Sequence, residues 1–191
     1  MTPVLLLPGW QNSGPAHWQS RWEALQTAPF HCVRVDQSDW MRPLRGDWMI
    51  QLEEAVLATP GPVLLAAHSL GCMLIAAWAE HSQNTHRVTG ALLVAPGDPE
   101  REELRAVPRS WSPIVRKALP FNSILLGSEN DPYCDFARAQ GFARSWGSRF
   151  VNTGARGHIN ADSGLGDWPE GLQFLEQLQS EQQRHQQRTK E

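Results

Sequence analysis

Short runs of unbroken apolar residues recur along this chain, and between them the apolar positions return every three or four residues. Val4-Leu5-Leu6-Leu7 and Val63-Leu64-Leu65-Ala66-Ala67 are continuous rather than alternating, as expected of strands buried on both faces. Similar short runs predict strands at 32–35, 91–95, 123–127 and 149–152. Helical spacing fills the gaps. Trp18, Trp22 and Leu25 share one face of a predicted helix over 17–26. Further helices are predicted at 48–57, with Asp47 as N-cap, at 70–80, at 132–146, with Pro132 as its first residue, and at 169–178. Strands alternating with helices predict an α/β fold with a mostly parallel sheet of about six strands.

Two connections are long. Residues 36–46 carry Trp40 and Pro43. Residues 96–122 are rich in Pro, Arg and Glu, with room for one or two short helices, and form the only stretch that could serve as a lid. A single domain is expected over 1–178. The polar stretch 179–191 has no apolar residue and is expected to be a frayed helix end or disordered.

Composition narrows the functional classes. Of the 191 residues, 41% are hydrophobic and 19% charged, with a net charge of -3. That suits a globular domain and lacks the basic face of a nucleic-acid binder. No apolar stretch approaches the ~18 residues of a membrane span. The start of the chain shows no basic segment or cleavage pattern, so no signal peptide is expected. The three cysteines, Cys32, Cys72 and Cys134, are widely spaced, so free thiols and a cytoplasmic location are expected. There is no metal-binding spacing and no dinucleotide fingerprint, and no cofactor is expected. Most of the nine tryptophans are read as packing residues.

The chemistry gathers at predicted strand ends. Ala67-His68-Ser69-Leu70-Gly71 follows the third strand and opens a helix. It has the small-x-Ser-x-Gly form of a nucleophile elbow, which lifts a serine oxygen clear of the sheet and aims free helix N–H groups at a developing oxyanion. The plainer alternative is a serine capping a helix. His68 is read as structural, because neighbours on such a turn point apart. In this arrangement an acid and then a histidine should follow at later strand ends. Asp131 comes after the fifth strand, with Asp135 as the weaker alternative, and His158 sits in the glycine-flanked loop after the sixth. His158 would activate Ser69, and Asp131 would hold the imidazole tautomer. The turn Gly9-Trp10-Gln11-Asn12 after the first strand suggests the backbone N–H groups of Trp10 and Leu70 as oxyanion donors, with Trp10 and Trp40 lining a substrate pocket.

Several blocks together resemble one family: Pro8-Gly9-Trp10-Gln11-Asn12-Ser13-Gly14, His17-Trp18 with Trp22, the serine elbow, Ser128-Glu129-Asn130-Asp131-Pro132-Tyr133, and Gly157-His158-Ile159-Asn160 leading to Trp168-Pro169-Glu170-Gly171. Over about residues 3–178 the chain resembles the YdeN and retinoblastoma-binding serine hydrolases of the α/β-hydrolase superfamily. The elbow departs from the family pattern only in having Ala67 for Gly. The resemblance implies a three-layer α/β-hydrolase sandwich, compact and nearly lidless. It implies Ser69, Asp131 and His158 as a triad, and carboxylesterase-type or aminoacyl-amide hydrolysis of a small acyl substrate. Retinoblastoma-protein binding is not carried over, since no Leu-x-Cys-x-Glu motif is present. The competing expectation is a non-catalytic module that binds a partner through a tryptophan-rich face.

Overall fold

The computed structural model describes residues 1–26, 28–104 and 108–188. In chain order the elements are β1 (Thr2–Leu7), α1 (Trp18–Leu25), β2 (Phe30–Arg34), α2 (Arg45–Ala58), β3 (Val63–His68), α3 (Leu70–His81), β4 (Val88–Val94), β5 (Ser123–Gly127), α4 (Phe136–Trp146), β6 (Arg149–Asn152) and α5 (Pro169–Arg188). The six strands form one sheet in the order β2-β1-β3-β4-β5-β6, and every pairing is parallel.

Strand alternation sorts the core into two layers. Leu5, Leu7, Leu65, Ala67, Ala91, Leu93 and Leu125 face one side, where α2, α3 and α4 pack. Val4, Leu6, Leu64, Ala66, Leu92, Val94, Ile124 and Leu126 face the other, against α1 and α5. Helices on both faces of a parallel sheet make the predicted three-layer α/β-hydrolase sandwich. α3 is apolar nearly all round, and every residue from Leu70 to Trp78 is buried, as befits a helix enclosed by its neighbours. Chain order reverses between β1 and β3, which opens a crevice at the carboxyl ends of those strands.

Three helix boundaries differ from expectation. α2 begins at Arg45 after Leu44, and Asp47 lies in its first turn rather than at the cap. There its carboxylate complements the helix dipole instead. α4 begins at Phe136, not Pro132, because the Asp131 carboxylate accepts the Tyr133 N–H at 2.9 Å and closes a local turn, an alternative that competes with helix. α5 continues to Arg188, ten residues beyond its last buried leucine, Leu178. The rest of the expected tail, 189–191, and the side chain of His185 lie outside the described residues.

The 96–122 connection holds two single 3-10 turns, Glu102–Leu104 and Arg109–Trp111, and its residues 105–107 lie outside the described residues. Trp111 anchors it: the ring is buried against Trp48, and Nε1–H donates to the Pro43 carbonyl at 2.7 Å. At its start, the buried Asp98 pairs with Arg138 of α4 at 2.7 Å. Seven tryptophans (18, 22, 48, 78, 111, 146 and 168) are buried, as the packing reading expects. Among the described residues, no helix is long and apolar enough to cross a membrane.

Candidate active site

β3 ends at His68 and α3 starts at Leu70, so Ser69 alone makes the turn, with φ 54° and ψ -119°. A non-glycine residue held in such backbone costs about 1–3 kcal/mol and persists only when its surroundings impose it. Here the Ser69 N–H donates to the Val94 carbonyl at 3.0 Å, and helix packing fixes the other side. Gly71 is required by close approach: a Cβ there would stand 2.3 Å from the Leu7 carbonyl oxygen. At the start of α3 the Cys72 N–H already bonds the Ser69 carbonyl at 3.0 Å, whereas Leu70, whose N–H is the first of the helix, lines the crevice.

The strand ends bring the other expected residues together. Nδ1 of His158 lies 2.9 Å from each carboxylate oxygen of Asp131. The pair is enclosed, with side-chain exposures of 7% for His158 and 3% for Asp131. Because a carboxylate accepts, Nδ1 carries the proton and Nε2 presents its lone pair. Asp135 is 79% exposed and pairs instead with Arg101 at 3.4 Å. The His158 ring is flanked by His68 and Tyr133, at centroid distances of 4.7 and 4.6 Å.

Ser69 and His158 line one cavity of about 400 Å³, together with Trp10, Leu70, Gly97, Pro99, Tyr133 and Asn160 among others. No hydrogen bond joins Ser69 to His158 among the described residues; such contacts often tighten only when substrate binds. The 9–14 turn supplies one wall. Gln11 and Asn12 both take positive φ, 67° and 66°. The Gln11 N–H is taken by the Trp40 carbonyl at 3.1 Å, and Arg34 Nη1 donates to Asn12 Oδ1 at 2.5 Å. This clamps the turn beside the cavity. Of the two tryptophans proposed for a substrate pocket, Trp10 lines the cavity and Trp40 does not. Its ring packs on Trp48 at 5.4 Å, and only its carbonyl serves the site, by holding Gln11.

Sequence reading missed Gly97, Tyr133, His17 and His68 as site residues. Gly97 is the most telling, since a Cβ there would lie 3.0 Å from Ser69 Oγ and 3.7 Å from the Leu70 nitrogen. No motif marks it; its position just past β4, next to the nucleophile strand, is the only available signal. His17 and His68 are buried behind His158. Burial, then the nearby His158 and Arg34, pushes the His17 imidazole down to about 3. Burial, followed by His158 and His17, holds His68 well below the ordinary histidine value. Both rings are thus neutral at physiological pH. Among the described residues, the cavity lining includes no Asp, Glu, Lys or Arg. The three cysteines are free, buried and absent from the cavity. Burial, then Glu23, raises the Cys32 thiol to about 12, and burial raises those of Cys72 and Cys134 as well.

A positive-φ serine at a strand-to-helix turn, a buried Asp–His pair and a clamped first-strand turn meet at one crevice. The serine hydrolase family profile matches residues 4–177 of the chain. The chain belongs to the serine hydrolase family. A YdeN-like hydrolase from Pectobacterium atrosepticum is 31% identical, with 95% of this chain and 92% of that one covered at a TM-score of 0.80. The YdeN product of Bacillus subtilis shares the fold at 18% identity, with 94% and 100% covered and a TM-score of 0.77. Carboxylesterase CesB of Bacillus subtilis is more distant, at 15% identity, 91% and 82% covered and a TM-score of 0.63. Among curated proteins none matches this chain.

Proposed function

We propose that this serine hydrolase cleaves a small, uncharged ester, thioester or amide through a Ser69–His158–Asp131 triad and an acyl-enzyme. The observation that carries this reading is the enclosed Asp131–His158 pair facing the same cavity as the strained Ser69. His158 Nε2 takes the Ser69 hydroxyl proton as Oγ attacks the acyl carbonyl. The oxyanion forms against the N–H groups of Trp10 and Leu70, donors fixed before the reaction begins. His158 then returns the proton to the leaving group, and water, activated by the same Nε2, releases the acid from Ser69. Asp131 fixes the tautomer and stabilises the transient imidazolium.

The substrate class follows from the walls. Volume near 400 Å³ is at the small end for ligand sites, and among the described lining residues there is no carboxylate or cationic chain to pair with a charged acyl group. Esterases among the structural relatives, such as CesB and esterase 2 of Thermogutta terrifontis, support ester chemistry. A cytoplasmic setting accords with the three free cysteines. The competing binding-module reading needs an exposed tryptophan face, and seven of the nine tryptophans are buried. The test is labelling by a fluorophosphonate, followed by hydrolysis rates on a panel of short acyl esters, thioesters and aminoacyl amides. Failure of the wild-type protein to label or to turn over any of them would overturn the reading.

A further inference from the structure

The residue just before the nucleophile reaches the residue proposed as base. His68 Nε2 lies 2.8 Å from the main-chain carbonyl oxygen of His158. A carbonyl can only accept, so Nε2 carries the proton and donates. The ring also stands edge-on against the His158 imidazole, with His17 packed behind it at 4.6 Å. We propose that His68 is a positioning residue for His158, tying the loop that carries the base to the backbone of the nucleophile itself. This rests on the triad reading above.

The loop needs such a tie. Gly157 and Ile159, on either side of His158, both have positive φ, 60° and 47°. For a β-branched residue such as Ile159 that backbone is an outlier, so contacts from outside must impose it. They come from two directions. Ser128 Oγ accepts the Arg156 N–H at 2.9 Å, and Asn130 Oδ1 accepts the Gly157 N–H at 2.7 Å. From the opposite side, Trp18 Nε1–H donates to the Ile159 carbonyl at 3.0 Å, and His68 holds the carbonyl of His158. Of these, only the His68 contact connects the base directly to the residue bonded to Ser69. It links base and nucleophile through a single hydrogen bond from the residue next to Ser69. Neutral His68, kept so by burial, serves as donor without placing a second positive charge beside the imidazolium formed in turnover.

A role in alignment predicts a particular kinetic signature. Small displacements of a reacting group cost about 10²-fold in rate, and they act on turnover rather than on binding. His68→Phe keeps the ring but removes the donor; His68→Gln restores an N–H near the same reach; His68→Asn has the donor but falls short. The variants are compared for kcat and KM on a short-chain p-nitrophenyl ester, for fluorophosphonate labelling rate, and for the downfield Nδ1 proton resonance of His158. The expected result is a kcat roughly 10- to 100-fold lower in His68→Phe and His68→Asn, with KM within about threefold and the resonance broadened, and recovery to within about fivefold in His68→Gln. Wild-type kcat in His68→Phe would overturn the proposal. So would His68→Gln no better than His68→Asn, a comparison that holds even where the phenylalanine variant fails to fold. Ser69→Ala in the same assays separates the two levels. Retained labelling there sinks the triad reading, whereas its loss alongside an unimpaired His68→Phe sinks only the positioning role.

Discussion

Asp131 places both carboxylate oxygens 2.9 Å from Nδ1 of His158 while its Oδ1 also accepts the Tyr133 N–H at 2.9 Å. The local turn thus aims the carboxylate, and the aimed carboxylate orients the ring. In Asp131→Asn the amide oxygen can keep the turn, but the carboxylate that fixes the imidazole tautomer is gone. Loss of this orienting acid lowers kcat by about 10⁴-fold in a comparable triad. We expect a loss of that order, with Tm little changed, because Asp131 caps no helix. Asp135→Asn, altering an exposed ion pair, should change neither quantity. Kinetics and thermal melts of the two variants check this, and an active Asp131→Asn would remove Asp131 from the mechanism.

Ser69→Ala should lower kcat by about 10⁵–10⁶-fold if the three residues act as a unit, and should abolish phosphonate labelling. Thiol reagents should leave the folded enzyme active. Burial keeps all three cysteines protonated, and a protonated, buried thiol reacts poorly. Rapid inactivation of the native protein by iodoacetamide would shift attention to a cysteine.

Gly97 tests the crowding around the nucleophile. Its added Cβ would stand 3.0 Å from Ser69 Oγ, tighter than normal contact, on the side from which the Leu70 N–H is reached. Gly97→Ala should cut kcat by roughly 10- to 100-fold through displacement of the oxygen, with the fold intact because Gly97 has no backbone requirement for glycine. Gly71→Ala differs: its Cβ meets a backbone carbonyl at 2.3 Å, so destabilisation of about 1–3 kcal/mol or more is expected. Comparing melting curves and kcat for the two variants distinguishes them.

Much of this architecture is legible in the sequence because its strongest signals are local. The continuous runs at 4–7 and 63–67 suit doubly buried strands, and a serine just after the second then falls at the carboxyl edge of the sheet. The positions of Asp131 and His158 at later strand ends follow from the same logic. Boundaries were less legible where tertiary pairing decides them. β2 starts at Phe30, beside Thr2, through a register with β1 that no local pattern announces. α4 starts late because Asp131 spends its carboxylate on Tyr133 and His158 rather than on a helix. The place of Trp40 is not legible, since its contribution is a main-chain carbonyl, to which side-chain identity gives no clue. His68 reads as structural in the sequence because it adjoins Ser69, and its hydrogen-bond partner His158 lies 90 residues further along the chain.

The two buried histidines make acid stability a sensitive measure of this packing. In the folded protein His17 titrates at about 3 and His68 well below its ordinary value; in the unfolded chain both return to near 6.5. Between those values the unfolded state binds more protons than the folded state, so stability falls as pH falls. The loss begins near pH 6.5 and, for His17, continues until about pH 3. Each such group contributes up to about 1.4 kcal/mol per pH unit within its window. Carboxylates add to the acid limb, so a variant is needed to isolate the effect. His17→Asn suits this, because asparagine is a strong N-cap and can replace the acceptor that His17 Nδ1 offers to the Gln19 N–H at 3.2 Å. Urea unfolding of wild type and His17→Asn at intervals between pH 7 and pH 4 should show a shallower dependence in the variant, by up to one proton in slope. Identical slopes would mean that His17 takes up its proton equally in the folded and unfolded states, so that burial does not depress its folded value.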